Sequence, residues 1–239
     1  MPKIDIKNLK VCYYPNKDSE LVAINDLTVS FQSDSITAIL GPSGCGKSTL
    51  LKTICGLLDY EGDIFVNDKD FSIVDFKERN IAFIDQEITL NKKITVYENI
   101  AFPLQMNKIP RQEIDRRIKE IAMQLDIAHC LALYPNQLSI GQCQKVLLEK
   151  AIIKKPSILL CDEAFSNLDV DSSRRIAQFL KDYAKENSIT VLFVTHSFKE
   201  VQNIVDDVIV LDSGKLIFQG EGKSIYASTD PFLVTIANS

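Results

Sequence analysis

Ser35-Ile36-Thr37-Ala38-Ile39-Leu40-Gly41-Pro42-Ser43-Gly44-Cys45-Gly46-Lys47-Ser48-Thr49 is the stretch that decides the fold. Its β-branched and apolar first part, 35–40, reads as a buried strand that stops at Gly41, and a helix is expected from near Lys47 towards Gly56. Strand, glycine loop and helix in this order are the setting that G-x-x-x-x-G-K-[ST] requires, and residues 41–48 match that pattern in full. The glycines permit backbone angles that aim successive N–H groups at phosphate oxygens, and the helix N-terminus adds positive potential. Gly41, Pro42, Ser43, Gly44, Cys45, Gly46, Lys47, Ser48 and Thr49 are thus the expected phosphate contacts. Lys47 is placed to reach the β- and γ-phosphates and the Ser48 hydroxyl to ligate Mg²⁺.

Outward from that loop the chain alternates strands with helices. Residues 81–84 read as a buried strand ending at Asp85-Gln86, and strands are also expected at 158–161, 189–194, 208–211 and 215–219, the last two joined by the turn Asp212-Ser213-Gly214. A helix over 172–185 separates the first two of these. Pro110 opens a helix whose Ile114, Ile118, Ile121, Ala122 and Leu125 share one face, and another helix follows Ser139 and stops before Pro156. The pattern predicts an α/β fold with a mostly parallel, covered sheet. Residues 3–35 are expected to form a small antiparallel flank, and 87–155, which lacks a comparable buried strand, an inserted helical lobe. The 239 residues then make one domain, with 1–86 and 156–239 as its core.

Bulk properties exclude several functions. A net charge of -5 argues against a dedicated nucleic-acid binder, so no nucleic-acid partner is expected. No apolar run approaches the roughly 18 residues of a membrane span, and the N-terminus lacks the apolar region of a secretory signal. The chain is therefore expected to be cytoplasmic, touching a membrane only through a partner. Six scattered cysteines and two histidines, His129 and His196, show no spacing suited to a thiolate or histidine metal site.

Beyond the strand at 158–161, Asp162 stands where a magnesium-holding carboxylate is needed and Glu163 where a general base would polarise water. Cys45, between a helix N-terminus and Lys47, is expected to have a lowered thiol pKa and to be alkylated readily unless ATP covers it.

Leu138-Ser139-Ile140-Gly141-Gln142, with these motifs in order around it, resembles the signature segment of the ATP-binding cassette (ABC) ATPases, which share a RecA-like P-loop NTPase core. The resemblance covers nearly the whole chain and implies ATP and Mg²⁺ as ligands. It implies that Gln86 touches Mg²⁺ beside Ser48 and Asp162. His196 matches the switch histidine that contacts the γ-phosphate, and Ser166-Asn167-Leu168-Asp169 matches the loop that crosses the dimer interface. Tyr13 lies at the adenine-stacking position, where adjacent Tyr14 can serve instead. Catalysis then falls to Glu163, His196 and Lys47, while Ser139, Gly141, Gln142 and Asp169 act across a head-to-tail dimer on the partner's ATP. Ile140 and Ala164 depart from the family's usual glycine and proline; the first is expected to spare nucleotide binding and the second to loosen the following turn.

The implied function is the ATP-hydrolysing subunit of an ABC transporter. Its partners are a second cassette (identical or not), a membrane permease whose cytoplasmic helix is received near Gln86 and in the helical lobe, and in an importer a solute-binding protein. Ile94-Thr95-Val96-Tyr97-Glu98-Asn99-Ile100-Ala101-Phe102 and Asp230-Pro231-Phe232 look like the oligosaccharide and polyamine importer ATPases. Those relatives often continue into a regulatory domain, and regulation through it is expected to be absent here. Export or lipid handling, and a soluble ABC ATPase without permease, are the competing readings.

Overall fold

The computed structural model describes residues 2–14, 20–75, 78–164, 168, 170–196 and 198–238. Two sheets stack around a common core. The first is antiparallel and contains β1 (Ile4–Tyr13), β2 (Leu21–Phe31), β4 (Glu61–Val66) and β5 (Lys69–Asp70) in the order β2-β1-β4-β5. The second contains β3 (Ile36–Leu40), β6 (Ile81–Ile84), β7 (Ile158–Asp162), β8 (Thr190–Val194), β9 (Asp207–Asp212) and β10 (Lys215–Glu221), ordered β10-β9-β3-β8-β7-β6. Within it only β10 runs antiparallel to its neighbour, at one edge. The flank expected over 3–35 is thus larger than its sequence suggested, because β4, after the first helix, returns to pair with β1 through Ile4 opposite Val66.

Strands β3, β8 and β7, consecutive in the sheet, are buried along their whole length, as near-continuous apolar runs require when both faces are covered. Alternate side chains serve different layers. Ile158 and Leu160 pack with the antiparallel flank and α1 (Lys47–Cys55), whereas Leu159 and Cys161 pack towards the helices on the other face.

Those helices include α2 (Val96–Met106), α3 (Arg111–Gln124) and α4 (Ile140–Ile152). The remaining ones are α5 (Val170–Asn187), the short α6 (Phe198–Val201) and the C-terminal α7 (Pro231–Ala237). Ile114, Ile118, Ile121 and Ala122 of α3 are all buried, the stripe its spacing predicts. Helix α2 starts with a reciprocal cap: Thr95 accepts from the Glu98 N–H and the Glu98 carboxylate accepts from the Thr95 N–H. Buried Asn99 fastens the preceding loop, donating to the carbonyls of Asn91, Ile94 and Thr95 and accepting from the Asn91 N–H.

A buried carboxylate departs from the apolar pattern of α4. Glu149 of α4 is fully buried, and among the described residues neither carboxylate oxygen has a hydrogen-bond partner. Burial pushes its pKa from the ordinary 4.5 up to about 8. Below about pH 4.5 both folded and unfolded chains hold the proton, so no cost arises. Between 4.5 and about 8 only the fold retains it, so stability falls as pH rises, by roughly 5 kcal/mol once the range is crossed. Thermal unfolding of Glu149→Gln should therefore show a gain over the wild type at pH 8.5 that shrinks at pH 5. A gain that does not change with pH would mean that the carboxylate is charged in the fold.

Candidate active site

The loop between β3 and α1 owes its shape to three residues with positive φ. Gly41 has φ 143° and Gly46 φ 108°, and a Cβ on either would meet a carbonyl oxygen, Leu211 O at 2.1 Å or Ala23 O at 2.7 Å. Gly44 also has positive φ, but faces open space. The loop is held from behind: Gly214 N donates to Cys45 O at 3.0 Å, and Asn25 N to Gly214 O at 3.0 Å. The turn after β9 thus links the loop to β2. Nothing in the local sequence of Asp212-Ser213-Gly214 signals that docking role.

Lys47 is buried and curls back over the loop, its Nζ donating to Gly41 O at 2.8 Å and Pro42 O at 2.9 Å, with Cys45 Sγ at 4.0 Å. Ser48, one residue on, donates its hydroxyl to Asp162 Oδ1 at 3.0 Å. Thr49 bonds the Tyr13 hydroxyl at 3.2 Å, which ties the end of β1 to α1. Tyr14 has its backbone in the left-handed region and its ring is 61% exposed. Pro42 and Ser43 complete the loop crest, Ser43 being exposed and Pro42 likewise.

Neighbouring parallel strands deliver the other expected residues to the same edge. Ile84 lies level with Cys161 and Asp162 level with Val194, so Asp85-Gln86, Asp162-Glu163 and Thr195-His196 emerge side by side. Glu163 adopts φ 49°, an uncommon left-handed state for a side chain with a Cβ, and its N–H donates to Val194 O at 3.1 Å. This turn aims the carboxylate back across the strand ends. Its Oε1 lies 2.6 Å from His196 Nε2, and its Oε2 accepts from Gln86 Nε2 at 3.1 Å. Gln86, Glu163 and His196 are therefore one connected group.

Asp162 is almost fully buried, and burial is the main force raising its pKa; the Ser48 hydrogen bond opposes it, and the charges of Glu163 and Asp85 add to it. A carboxylate crowded by two others, with a hydroxyl at hand, is a hard-oxygen cluster short of positive charge. That donor set suits Mg²⁺, which takes one or two protein oxygens and completes its octahedron with phosphate and water. Among the described residues no group of three or more His, Cys, Asp or Glu is arranged as a self-sufficient metal cage. Asp85, whose partner is Lys52 at 4.0 Å, enters this cluster without having been singled out by motif.

Cys45 requires a correction. Helix end and Lys47 were expected to lower its thiol pKa, but the side chain is buried, and desolvation outweighs the nearby ammonium and raises it. Gly41 shows the tightness of the site, since an added Cβ there would also stand 2.8 Å from Cys45 Sγ.

Ser139 is the N-cap of α4. Its hydroxyl accepts from the Gln142 N–H at 3.2 Å, and the Gln142 side chain accepts from the Ser139 N–H at 2.9 Å. Ile140, first residue of the helix, is 57% exposed. Gly141 lies so close to Leu168 that a Cβ would meet its Cδ2 at 2.9 Å. The described hydrogen bonds of Ser139, Gly141 and Gln142 do not reach the phosphate loop or the strand-end group, so within one chain the signature segment stands apart. Ser166, Asn167 and Asp169, and the turn that Ala164 was expected to loosen, lie outside the described residues.

Sheet, loop and strand-end carboxylates together define a nucleoside-triphosphate-binding α/β domain. A family model described as ABC transporter matches residues 24–166. The chain is 39% identical over 214 residues to the molybdate/tungstate import ATP-binding protein WtpC of Pyrococcus abyssi, covering 89% of this chain and 62% of that protein. It is 38% identical to the trehalose/maltose import ATP-binding protein MalK of Thermococcus litoralis, covering 87% and 58%. Against the spermidine/putrescine import ATP-binding protein PotA of Haemophilus influenzae the identity is 34%, covering 94% and 59%. The chain thus spans about three fifths of the length of these relatives. Among solved structures, the dimeric post-hydrolysis state of the ATP-binding cassette MJ0796 bound to ADP and Pi superposes with a TM-score of 0.83 at 26% identity, covering 91% of this chain and 98% of that one. The chain belongs to the ABC transporter family.

Alkylation in the folded protein should be slow at Cys45, and should accelerate at least tenfold on denaturation, as mass spectrometry of iodoacetamide-treated samples would report. Half-exposed Cys12 should react first. Fast labelling of Cys45 in the native state would mean that the thiol is not desolvated.

Proposed function

We propose that the chain is the ATP-binding and ATP-hydrolysing subunit of an ABC importer, acting as a dimer on a separate membrane permease. The observation that carries this reading is the convergence of Ser48–Asp162 and Gln86–Glu163–His196 at the carboxyl ends of adjacent strands beside the phosphate loop. Loop N–H groups and α1 bind the phosphates, and the Lys47 ammonium exchanges carbonyl partners for β- and γ-phosphate oxygens. Ser48, Asp162 and Gln86 would hold Mg²⁺, which when bound neutralises charge on the transferring phosphoryl group. Glu163, fixed through both oxygens, accepts a proton from the attacking water, and His196 orients that carboxylate and faces the γ-phosphate. Tyr13, anchored by its hydroxyl to Thr49, offers its ring to adenine, with the exposed ring of Tyr14 alongside.

Ser139, Gly141, Gln142 and Asp169 complete the site of the second cassette, and this fits the separation of the signature segment from the phosphate loop within one chain. The dimeric state of MJ0796 supports the same arrangement. In this reading 1–86 and 156–239 form the nucleotide-binding core and 87–155 the helical lobe. A hollow of about 210 Å³ beside β6, lined by Phe83, Asp85, Thr89, Pro103, Lys150 and Lys154, lies where a permease helix would meet both parts. Exposed Phe102 and Met106 of α2 add apolar surface. No helix among the described residues is long and apolar enough to cross a membrane; in this reading the permease holds the chain at the inner face of the cell membrane. The three relatives are named for import of an oxyanion, sugars and polyamines, which supports import here and assigns choice of solute to the permease and a solute-binding protein.

Glu163→Gln should lower ATP turnover by about 10²- to 10⁴-fold, the range for loss of a general base, while ATP binding persists; equal turnover in both proteins would remove Glu163 from the chemistry. Ile140→Gly should leave monomer ATP affinity unchanged by fluorescence titration, any effect falling on dimerisation or kcat. A large affinity change would mean that Ile140 belongs to the chain's own nucleotide site.

A further inference from the structure

The cap of α4 carries information about a residue outside every motif. Because the Gln142 side-chain carbonyl accepts from the Ser139 N–H, its amide NH₂ must point away from Ser139. It points at His129, whose Nε2 lies 3.5 Å from Gln142 Nε2. Two N–H donors cannot bond each other, so a hydrogen bond here requires the His129 tautomer that offers a lone pair at Nε2 and carries its proton on Nδ1. The chain of bonds therefore runs from His129 through the Gln142 amide to the Ser139 backbone, while Ser139 Oγ accepts from the Gln142 N–H.

The base of that chain is firmly set. His129 sits in the short turn Ala128–Cys130, flanked by Ile127 and Cys130, both fully buried. Ile127 N donates to Ala122 O at 2.9 Å, and Cys130 N to Ile127 O at 2.8 Å. The segment after the turn is bonded to the start of α2, with Val96 N to Leu133 O at 2.8 Å and Tyr97 N to Leu131 O at 2.9 Å. The cap itself is exposed at Ser139 and Ile140 and has fewer restraints. A half-buried amide, already bonded to the Ser139 N–H, is met by the exposed imidazole of His129, whose backbone is hydrogen-bonded on both sides.

We propose that His129 is a positioning residue for the half-site that the chain presents to its partner's ATP. It accepts a hydrogen bond from Gln142, locks that side chain into the cap, and so keeps Ser139 Oγ and the first N–H groups of α4 in register for the facing γ-phosphate. This rests on the reading above that Ser139, Gly141 and Gln142 act across the dimer.

The test uses His129→Leu, which removes the acceptor at similar size, and His129→Gln, which returns an acceptor oxygen near the position of Nε2. Each is made alone and with Gln142→Ala. ATP-dependent dimerisation is measured by analytical ultracentrifugation in a Glu163→Gln background, and kcat in the otherwise unmodified chain. His129→Leu should weaken the dimer and lower kcat by about threefold, the scale of one long hydrogen bond, with monomer ATP affinity unchanged. His129→Gln should recover most of the loss, and His129→Leu should have no further effect once Gln142 is alanine. The proposal is overturned by wild-type behaviour of His129→Leu, by failure of His129→Gln to rescue, or by equal losses with and without Gln142. Ser139→Ala separates the two readings. If it impairs dimerisation while His129→Leu does not, only the role of His129 fails. If Ser139→Ala and Gln142→Ala both leave dimerisation and turnover intact, the half-site reading fails and this proposal with it.

Discussion

The backbone of the phosphate loop runs in contact with two other backbones, and the rest of the site depends on that closeness. Gly41 lies against the Leu211 carbonyl and Gly46 against the Ala23 carbonyl, at separations that leave no room for a side chain. Glycine there is a packing requirement as much as a conformational one. The two contacts, with the bonds through Gly214, wedge the loop between the antiparallel flank and the turn after β9. An anion cradle made of backbone N–H groups works only if those groups are already aimed, because the energy of reorienting them would be taken from binding. The small sheet, which holds no expected catalytic residue, thus serves the site by fixing the floor of the loop.

Parallel pairing does the equivalent work for the side chains. Strands β6, β7 and β8 end in register, so three residues that are far apart in sequence become neighbours without any loop having to search for its partner. Glu163 then links them, one oxygen to Gln86 and the other to His196. Its left-handed backbone costs on the order of 1 kcal/mol, and the bond from its N–H to Val194 O helps to hold it. Strain at this residue coincides with the point where the three strand ends are joined.

Legibility along the chain followed the range of the interaction involved. The fully buried strands at β3, β7 and β8 were visible because a strand covered on both faces must be apolar throughout, and the stripe on α3 because its period is local. Strand β4 was not visible: only Ile64 in it is fully buried, and its partner β1 lies more than fifty residues away. Residue types around Cys45 pointed to a lowered pKa, since a lysine and a helix end are local, yet the burial that reverses the sign comes from strands elsewhere. Asp85, Gly214 and His129 carry no motif, and their parts emerge only from what is packed against them.

By itself the sequence determined which groups are available and where the strand ends fall: the glycine loop, Lys47 and Ser48, Gln86, Asp162-Glu163, His196 and the capped start at Ser139. These are encoded by residue type and short spacing, which the local chain preserves. The tertiary structure alone decided which oxygen of Glu163 meets which partner, why Gly41 and Gly46 must lack a Cβ, and how Gln142 turns its amide towards His129. Those outcomes depend on distances between segments remote in sequence, and such distances exist only once both faces of the sheet are covered.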